Sequence, residues 1–203
     1  MPTERFKNLD EKKKIKILKA IDIVISNQDI NAVTVSDIVK EAKISRGSFY
    51  TYFDDVGDAT EYLITQLSNE YINNFKKCIE DVSLDYWKGV KKFYTQQKKE
   101  QLSKNKKRLE NIRRKKFVLE ILARSFETKE YYSEFINFSS WCVKNVKLNK
   151  NKLSEMQMQI LNLNVLMTIV SSFLIDKLHG DSRDMYIDTY IGMCKTLNIN
   201  SRW

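Results

Sequence analysis

Apolar residues recur at intervals of three and four along almost the whole chain. Ile17, Leu18, Ile21, Val24 and Ile25 share one helical face. The helix that carries them is predicted to start at Asn8 as N-cap, with Asp10 and Glu11 in its first turn, where carboxylates complement the helix dipole. A second helix is predicted from Thr34. Thr34 and Asp37 stand at capping-box spacing, Val33 and Ile38 stand at the two ends of a hydrophobic staple, and Ile38, Val39 and Ala42 form the inner face. Ser45 is a third N-cap, and Ile44 and Phe49 repeat the staple spacing. Two short helices joined by so tight a turn form a helix-turn-helix. Beyond Phe53 long helices are predicted over about 56–81, 84–102, 106–127, 128–148, 153–179 and 181–198, with Gly180 ending one and Asp181 capping the next.

Period-two alternation is scarce, and 203 residues hold only 5 Gly and 1 Pro, too few turn formers for a strand-rich fold. The expected class is all-α. It comprises an N-terminal three-helix domain with the helix-turn-helix, residues 1–54, and a larger helical bundle, residues 55–203, of about nine helices in all. Hydrophobic residues at 42% and charged residues at 30% describe a soluble globular chain. Met156 to Ile175 lacks charge over a length that would span a bilayer. It also contains Gln157, Gln159, Asn162, Asn164, Thr168, Ser171 and Ser172, which hydrocarbon penalises, so a helix buried on two sides is the better reading and no membrane partner is expected.

Net charge is +9 and the isoelectric point near 9.3, compatible with a polyanionic partner. The charge is concentrated. Residues 88–116 hold thirteen Lys/Arg against Glu100 and Glu110, so the rest of the chain sums to about −2. That run either faces DNA or forms a solvated helix surface. Cys78, Cys142 and Cys194 are too few and too separated for a disulfide framework or zinc site, and read as small hydrophobes in a reducing cytosol. The chain opens without an export signal, so a cytoplasmic location is expected. One histidine, His179, no phosphate-cradling glycine loop and no metal-ligand cluster argue against an enzyme, and no cofactor is expected.

The segment Ile44-Ser45-Arg46-Gly47-Ser48-Phe49-Tyr50-Thr51-Tyr52-Phe53 carries the most specific chemistry. A helix that enters the major groove by its N-terminus presents its first turn to bases and phosphates. Arg46 at the first helical position can donate two hydrogen bonds to guanine O6 and N7. Gly47 lets the backbone approach closely. Ser48, Thr51 and Tyr52 offer hydroxyls to phosphates, Tyr50 can lie against a thymine methyl, and the helix starts at Thr34–Ser36 and Ser45 expose N–H groups to anions. Phe49 and Phe53, at i and i+4, are core. A capped helix pair alone occurs in many all-α proteins, and two tyrosines on it can be ordinary half-buried aromatics. The whole run from Thr34 resembles the DNA-binding signature of the TetR (TetR/AcrR) family of bacterial regulators, over about residues 9–60. That resemblance implies base reading by Tyr50 and Thr51 and phosphate binding by Thr34 and Tyr52. Two departures stand out. Lys43 occupies the inter-helix turn where the family usually has Gly, which predicts a left-handed lysine. Asp54-Asp55 stands where the family commonly has a phosphate-binding Lys after Phe53.

The resemblance further implies a homodimer on double-stranded operator DNA, released by a small-molecule effector of unknown identity. The last two helices are the dimer candidates through Leu163, Leu166, Val170, Phe173, Ile187, Ile191 and Cys194, because their apolar surface exceeds what one packed face uses. A monomeric bundle around one central helix is the competing arrangement. Trp87, Tyr94, Phe117, Phe126, Phe138 and Trp141 are candidate effector-pocket residues, although aromatics at helical spacing also simply build cores. Lys104, Lys106, Lys107 and Arg108 are candidate auxiliary DNA contacts, since the junction they occupy lies near the DNA domain in proteins of this type. The competing functional reading is a protein of the same fold that acts through protein contacts, with DNA binding secondary or lost, a reading kept open by Val56 and the acidic pair Asp54-Asp55.

Overall fold

The computed structural model describes residues 2–28, 32–102, 129–148, 153–179 and 183–196, and the regular elements among them are α-helices. In chain order they are α1 (Glu4–Lys7), α2 (Glu11–Asn27), α3 (Val35–Ala42), α4 (Arg46–Tyr50), α5 (Val56–Glu80), α6 (Tyr86–Leu102), α7 (Lys129–Asn145), α8 (Glu155–His179) and α9 (Arg183–Thr196). The all-α class expected from the sequence is what forms. The helix expected over 106–127 and the Gly180–Asp181 junction lie outside the described residues.

The start of the chain differs from expectation. Asn8 is not the N-cap of the second helix. It ends α1, where the Asn8 N–H donates to the Glu4 carbonyl and the Leu9 N–H to the Phe6 carbonyl, and Asp10 caps α2 by accepting from the Lys13 N–H at 3.1 Å. The cause is Thr3, whose hydroxyl caps one extra turn that carries Phe6 into the interior. A single apolar residue sets no period, so hydrophobic spacing does not announce that turn.

Two compact units are built from these helices, the first from residues 2–70 and the second from residues 71–100 together with those after Lys129. In the first, α2 packs on α3 and α3 on α4. Ile17, Ile21, Ile38, Ala42, Phe49 and Phe53, positions read from the sequence, are fully buried, Leu18 and Val39 are half-buried, and Ala59 of α5 adds to the core. Phe6 closes this core from the side, its ring 4.7 Å from Phe53, 5.5 Å from Tyr62 and 5.8 Å from Tyr52, centre to centre.

In the second unit Phe75, Ile79, Tyr86, Val90, Phe93, Phe138, Met158, Val165, Ile169 and Ile187 form a continuous core. Phe75 and Phe93 stack at 4.9 Å. A buried polar relay crosses it. The Tyr86 hydroxyl donates to Asn162 Oδ1 at 2.8 Å, and Asn162 Nδ2 donates to Ser139 Oγ at 3.0 Å, which joins α6, α8 and α7 with every member partnered. Burial pushes the neighbouring Cys142 thiol up to about 12, so it packs as a neutral hydrophobe, as expected for these cysteines. Among the described residues no helix is long and apolar enough to cross a membrane.

α5 and α6 approach closely at Gly89. A Cβ on Gly89 would sit 2.5 Å from Ile79 Cγ1 and 2.8 Å from Ile79 Cα, and backbone cannot rotate away as a side-chain tip can. Gly89→Ala is therefore expected to lower stability by about 1–3 kcal/mol through overpacking. Urea unfolding measures this. An unchanged midpoint would show that the two helices separate freely.

Candidate nucleic-acid interface

The helix-turn-helix is assembled from local hydrogen bonds. Thr34 caps α3 by accepting from the Asp37 N–H at 3.3 Å, while Asp37 Oδ2 accepts from the Thr34 N–H at 3.0 Å and from its hydroxyl at 2.6 Å. The capping box read from the sequence is present. These bonds, the side-chain one first, together with a donor from Gln28, hold the Asp37 carboxyl below its ordinary value of 3.8. The helix ends at Lys43 in the left-handed conformation, φ 54° and ψ 51°. A lysine stands there where glycine carries no Cβ penalty, at a cost of about 1 kcal/mol. Two residues on, Ser45 caps α4, with Oγ accepting from the Ser48 N–H at 2.9 Å.

These bonds decide which side chains remain chemically open. The Thr34 hydroxyl proton points at Asp37, the Thr51 hydroxyl donates to the Ser48 carbonyl at 2.7 Å, and the Ser45 and Ser48 hydroxyls bond each other at 2.9 Å. Tyr52 differs from its neighbours, since it is only 5% exposed and its ring edge packs on Phe6. Ser36, Arg46 and Gly47 are exposed, and Tyr50 is 52% exposed with its ring edge against Phe49. Among the described residues nothing demands glycine at position 47, because a Cβ there would meet only Ser45 Oγ at 3.8 Å. Arg46 and Tyr50 thus project from α4 with polar ends that no group among the described residues engages.

The acidic pair after Phe53 serves the next helix. Asp55 Oδ1 accepts from the Asp58 N–H at 2.8 Å and Asp58 Oδ2 accepts from the Asp54 N–H at 3.1 Å, so these carboxylates cap α5. Thr3 is a residue that hydrophobic patterning missed. Its N–H donates to the Tyr52 carbonyl at 3.0 Å and its hydroxyl to the Thr51 carbonyl at 2.7 Å, which ties α1 to the end of α4. The available signal was the cap itself, a threonine followed by glutamate.

The remaining site expectations fall in the second unit. Trp87, Tyr94 and Phe138 are buried in its core, and Trp141 is half-buried, stacked on Phe138 at 6.3 Å with the Lys76 ammonium 4.8 Å from its ring centre. Phe117 and Phe126 lie outside the described residues, as do Lys104, Lys106, Lys107 and Arg108. In the described part of the basic run, four of five cations have acidic partners: Lys88 with Asp85, Lys91 with Asp188, Lys92 with Asp81 and Lys98 with Asp184. Hydrogen bonds from Lys92 to Asp81, and from Lys98 and Tyr94 to Asp184, lower both carboxyls.

The expected dimer residues divide. Leu166, Ile187 and Ile191 face the interior of their own unit, while Leu163 and Cys194 are half-buried. The side chains of Val170 and Phe173 lie outside the described residues. The outward apolar positions are instead Met156, 72% exposed, Ile160, Met185, 69% exposed, Tyr186 and Met193. A helix apolar on two faces does not declare in its sequence which face turns inward.

Residues 17–55 match the family model for bacterial regulatory proteins of the tetR family. No curated protein sequence matches the chain. Among solved structures the fold is similar to a TetR transcriptional regulator from Legionella pneumophila, at 16% identity and a TM-score of 0.58 over 92% of this chain and 98% of the other. It is also similar to the fatty acid degradation regulator FadR from Bacillus halodurans, at 15% identity and TM-score 0.58 over 96% of this chain and all of the other. A proposed transcriptional regulator from Pseudomonas aeruginosa PAO1 aligns at 11% identity and TM-score 0.65, over 97% and 96% of the two chains.

The capping box makes a testable statement about pH. A carboxyl lowered on folding contributes stability that is complete well above its unfolded value and is lost as pH falls through the folded value. Thr34→Ala is expected to cost about 1 kcal/mol near neutral pH. The deficit should shrink below about pH 3.8, where protonation weakens the same box in the unmodified chain. Unfolding midpoints of both proteins across pH measure it, and a deficit independent of pH would show that Thr34 acts without Asp37.

Proposed function

We propose that this chain, a member of the TetR family through its N-terminal domain, is a ligand-responsive transcription regulator. In this reading it is a repressor that binds a palindromic operator in double-stranded DNA as a homodimer and is released by a small-molecule effector. DNA binding is assigned to residues 1–54, and effector binding and dimerisation to residues 55–203. No catalytic role forms part of the reading. The observation that carries it is the pair Arg46 and Tyr50, presented on a capped helix with polar ends that no group among the described residues engages. Gly47 supports it, because glycine inside a helix costs about 1 kcal/mol against alanine and nothing among the described residues requires it.

Around these two, Ser36, Ser45, Ser48 and Thr51 contribute as acceptors or by exchanging a local partner for a phosphate, Thr34 does so at the start of α3, and Tyr52 contributes only its rim. The competing reading, a protein that acts through protein contacts, drew on Asp54-Asp55. The Asp55 carboxylate joins the cap of α5, whereas Asp54 takes part in it only through its backbone N–H. For the effector, Trp87 lends support. Its indole N–H is buried without an acceptor among the described residues, and a ligand bearing an acceptor would complete it.

Arg46→Ala is expected to weaken operator binding by about 1–3 kcal/mol and to relax preference at one base pair per half-site, read by fluorescence anisotropy against DNA from the chain's own promoter region. Unchanged affinity would remove Arg46 from the base-reading set. For the dimer, the exposed apolar positions direct the test. Ile160→Glu should give a folded monomer in sedimentation, whereas Leu166→Glu, at a buried position, should unfold the chain. A monomeric unmodified chain would sink the dimer.

A further inference from the structure

A shallow depression of about 510 Å³ opens in the first unit between the first half of α2 and the turn that joins α3 to α4. Lys12, Lys13 and Lys16 line it from α2, Lys43 from the turn and Ser48 from α4, and Asp10 is the one acid in its wall. The Asp10 carboxylate is engaged as the cap of α2. Among the described residues none of these four lysines forms an ion pair, in contrast to the lysines of α6. The Lys13 ammonium lies over the Tyr52 ring, 5.9 Å from its centre, and the charges of Lys12, Lys16 and Lys43 give the depression a positive potential that favours an anion.

We propose that this depression seats backbone phosphates of the DNA strand flanking the bases read by α4, with Lys12, Lys16 and Lys43 as the principal phosphate ligands. The inference rests on the DNA-binding reading above. Three observations favour a polymer backbone over a small molecule. The depression is open to solvent, and four of its eight lining residues are lysines beside only two apolar ones, Ile17 and Ile44, whereas small-ligand pockets enclose their ligand in largely apolar walls. It shares α4 with the base-reading candidates, since Ser48 in its wall is two residues from Tyr50 and Arg46. Lys43 lines the depression and keeps a side chain at a left-handed position that glycine adopts without strain. Lysines here also supply the phosphate contact that Asp54-Asp55, engaged in the cap of α5, does not provide.

The test uses the full chain, anisotropy, and two labelled duplexes, one from its own promoter region and one of random sequence, over a series of salt concentrations. The variants are K12Q/K16Q/K43Q, Lys43→Gly and Arg46→Ala. Each lysine that neutralises a phosphate contributes about 0.9 to the slope of log affinity against log salt, so the triple variant should flatten that slope by about 2–3. It should weaken both duplexes by similar factors and leave their ratio nearly constant, because phosphates carry no base information. Arg46→Ala should instead change the ratio. Lys43→Gly should raise the thermal midpoint while it lowers affinity for both duplexes, opposite signs that a purely structural lysine does not produce. An unchanged slope in the triple variant, with the unmodified chain binding promoter DNA, would overturn the proposal and leave the DNA-binding reading intact. Failure of the unmodified chain to bind either duplex would overturn that reading, and the proposal with it.

Discussion

A helix of five residues has no stability of its own, because it closes barely one turn of hydrogen bonds against the cost of nucleation. α4 is such a helix, and Arg46 and Tyr50 have a fixed direction only because α4 is held from outside. Phe49 and Phe53 anchor its buried side, Phe6 covers them, Ser45 caps its start, and Thr3 binds the two carbonyls that follow its end. The aromatic cluster is thus the constraint on which the rest of the first unit depends. The capped α3, the left-handed Lys43 and the cap of α5 each set the chain's path into or out of it.

The same local bonds shape the chemistry left on the surface. Most hydroxyls of the candidate interface are already engaged inside the helices, which makes the helices definite but removes cheap donors to phosphate. Attraction to a polyanion then falls on lysines and Arg46, whose reach is long and whose effect is screened by salt. In the second unit the lysines of α6 meet Asp81, Asp85, Asp184 and Asp188. Such exposed pairs contribute about 0–1 kcal/mol each, so they direct α6 onto its neighbours more than they stabilise it. Positive charge on this chain therefore has two uses, and sequence density alone does not separate them.

What was legible in the sequence was what is settled within one turn of chain. The caps at Thr34 and Ser45, the strained lysine at 43 and most helix bounds depend on neighbours three or four residues away, and they appear where the residues indicated. What was not legible depends on distance. Lys98 meets Asp184 across 86 residues, and the part of the basic run from Lys88 to Lys99, read as either DNA-facing or a solvated surface, is mostly paired with acids. Leu166 and Ile160 lie on one helix that is apolar almost all round, and only the packed structure sends the first inward and the second outward. Tyr52 carries a hydroxyl that suggested phosphate, but Phe6, 46 residues earlier, draws its ring inside.

The bond from Thr3 to the end of α4 has a practical side. The third residue of the chain, which has no part in reading DNA in our proposal, helps set the pose of the residues that do. Trimming the first few residues, or fusing an affinity tag directly ahead of them, would disturb a carbonyl contact at Thr51 and Tyr52 rather than a loose end. A tagged preparation that binds poorly would then report on its tag, and removing or relocating the tag belongs before any conclusion about the operator.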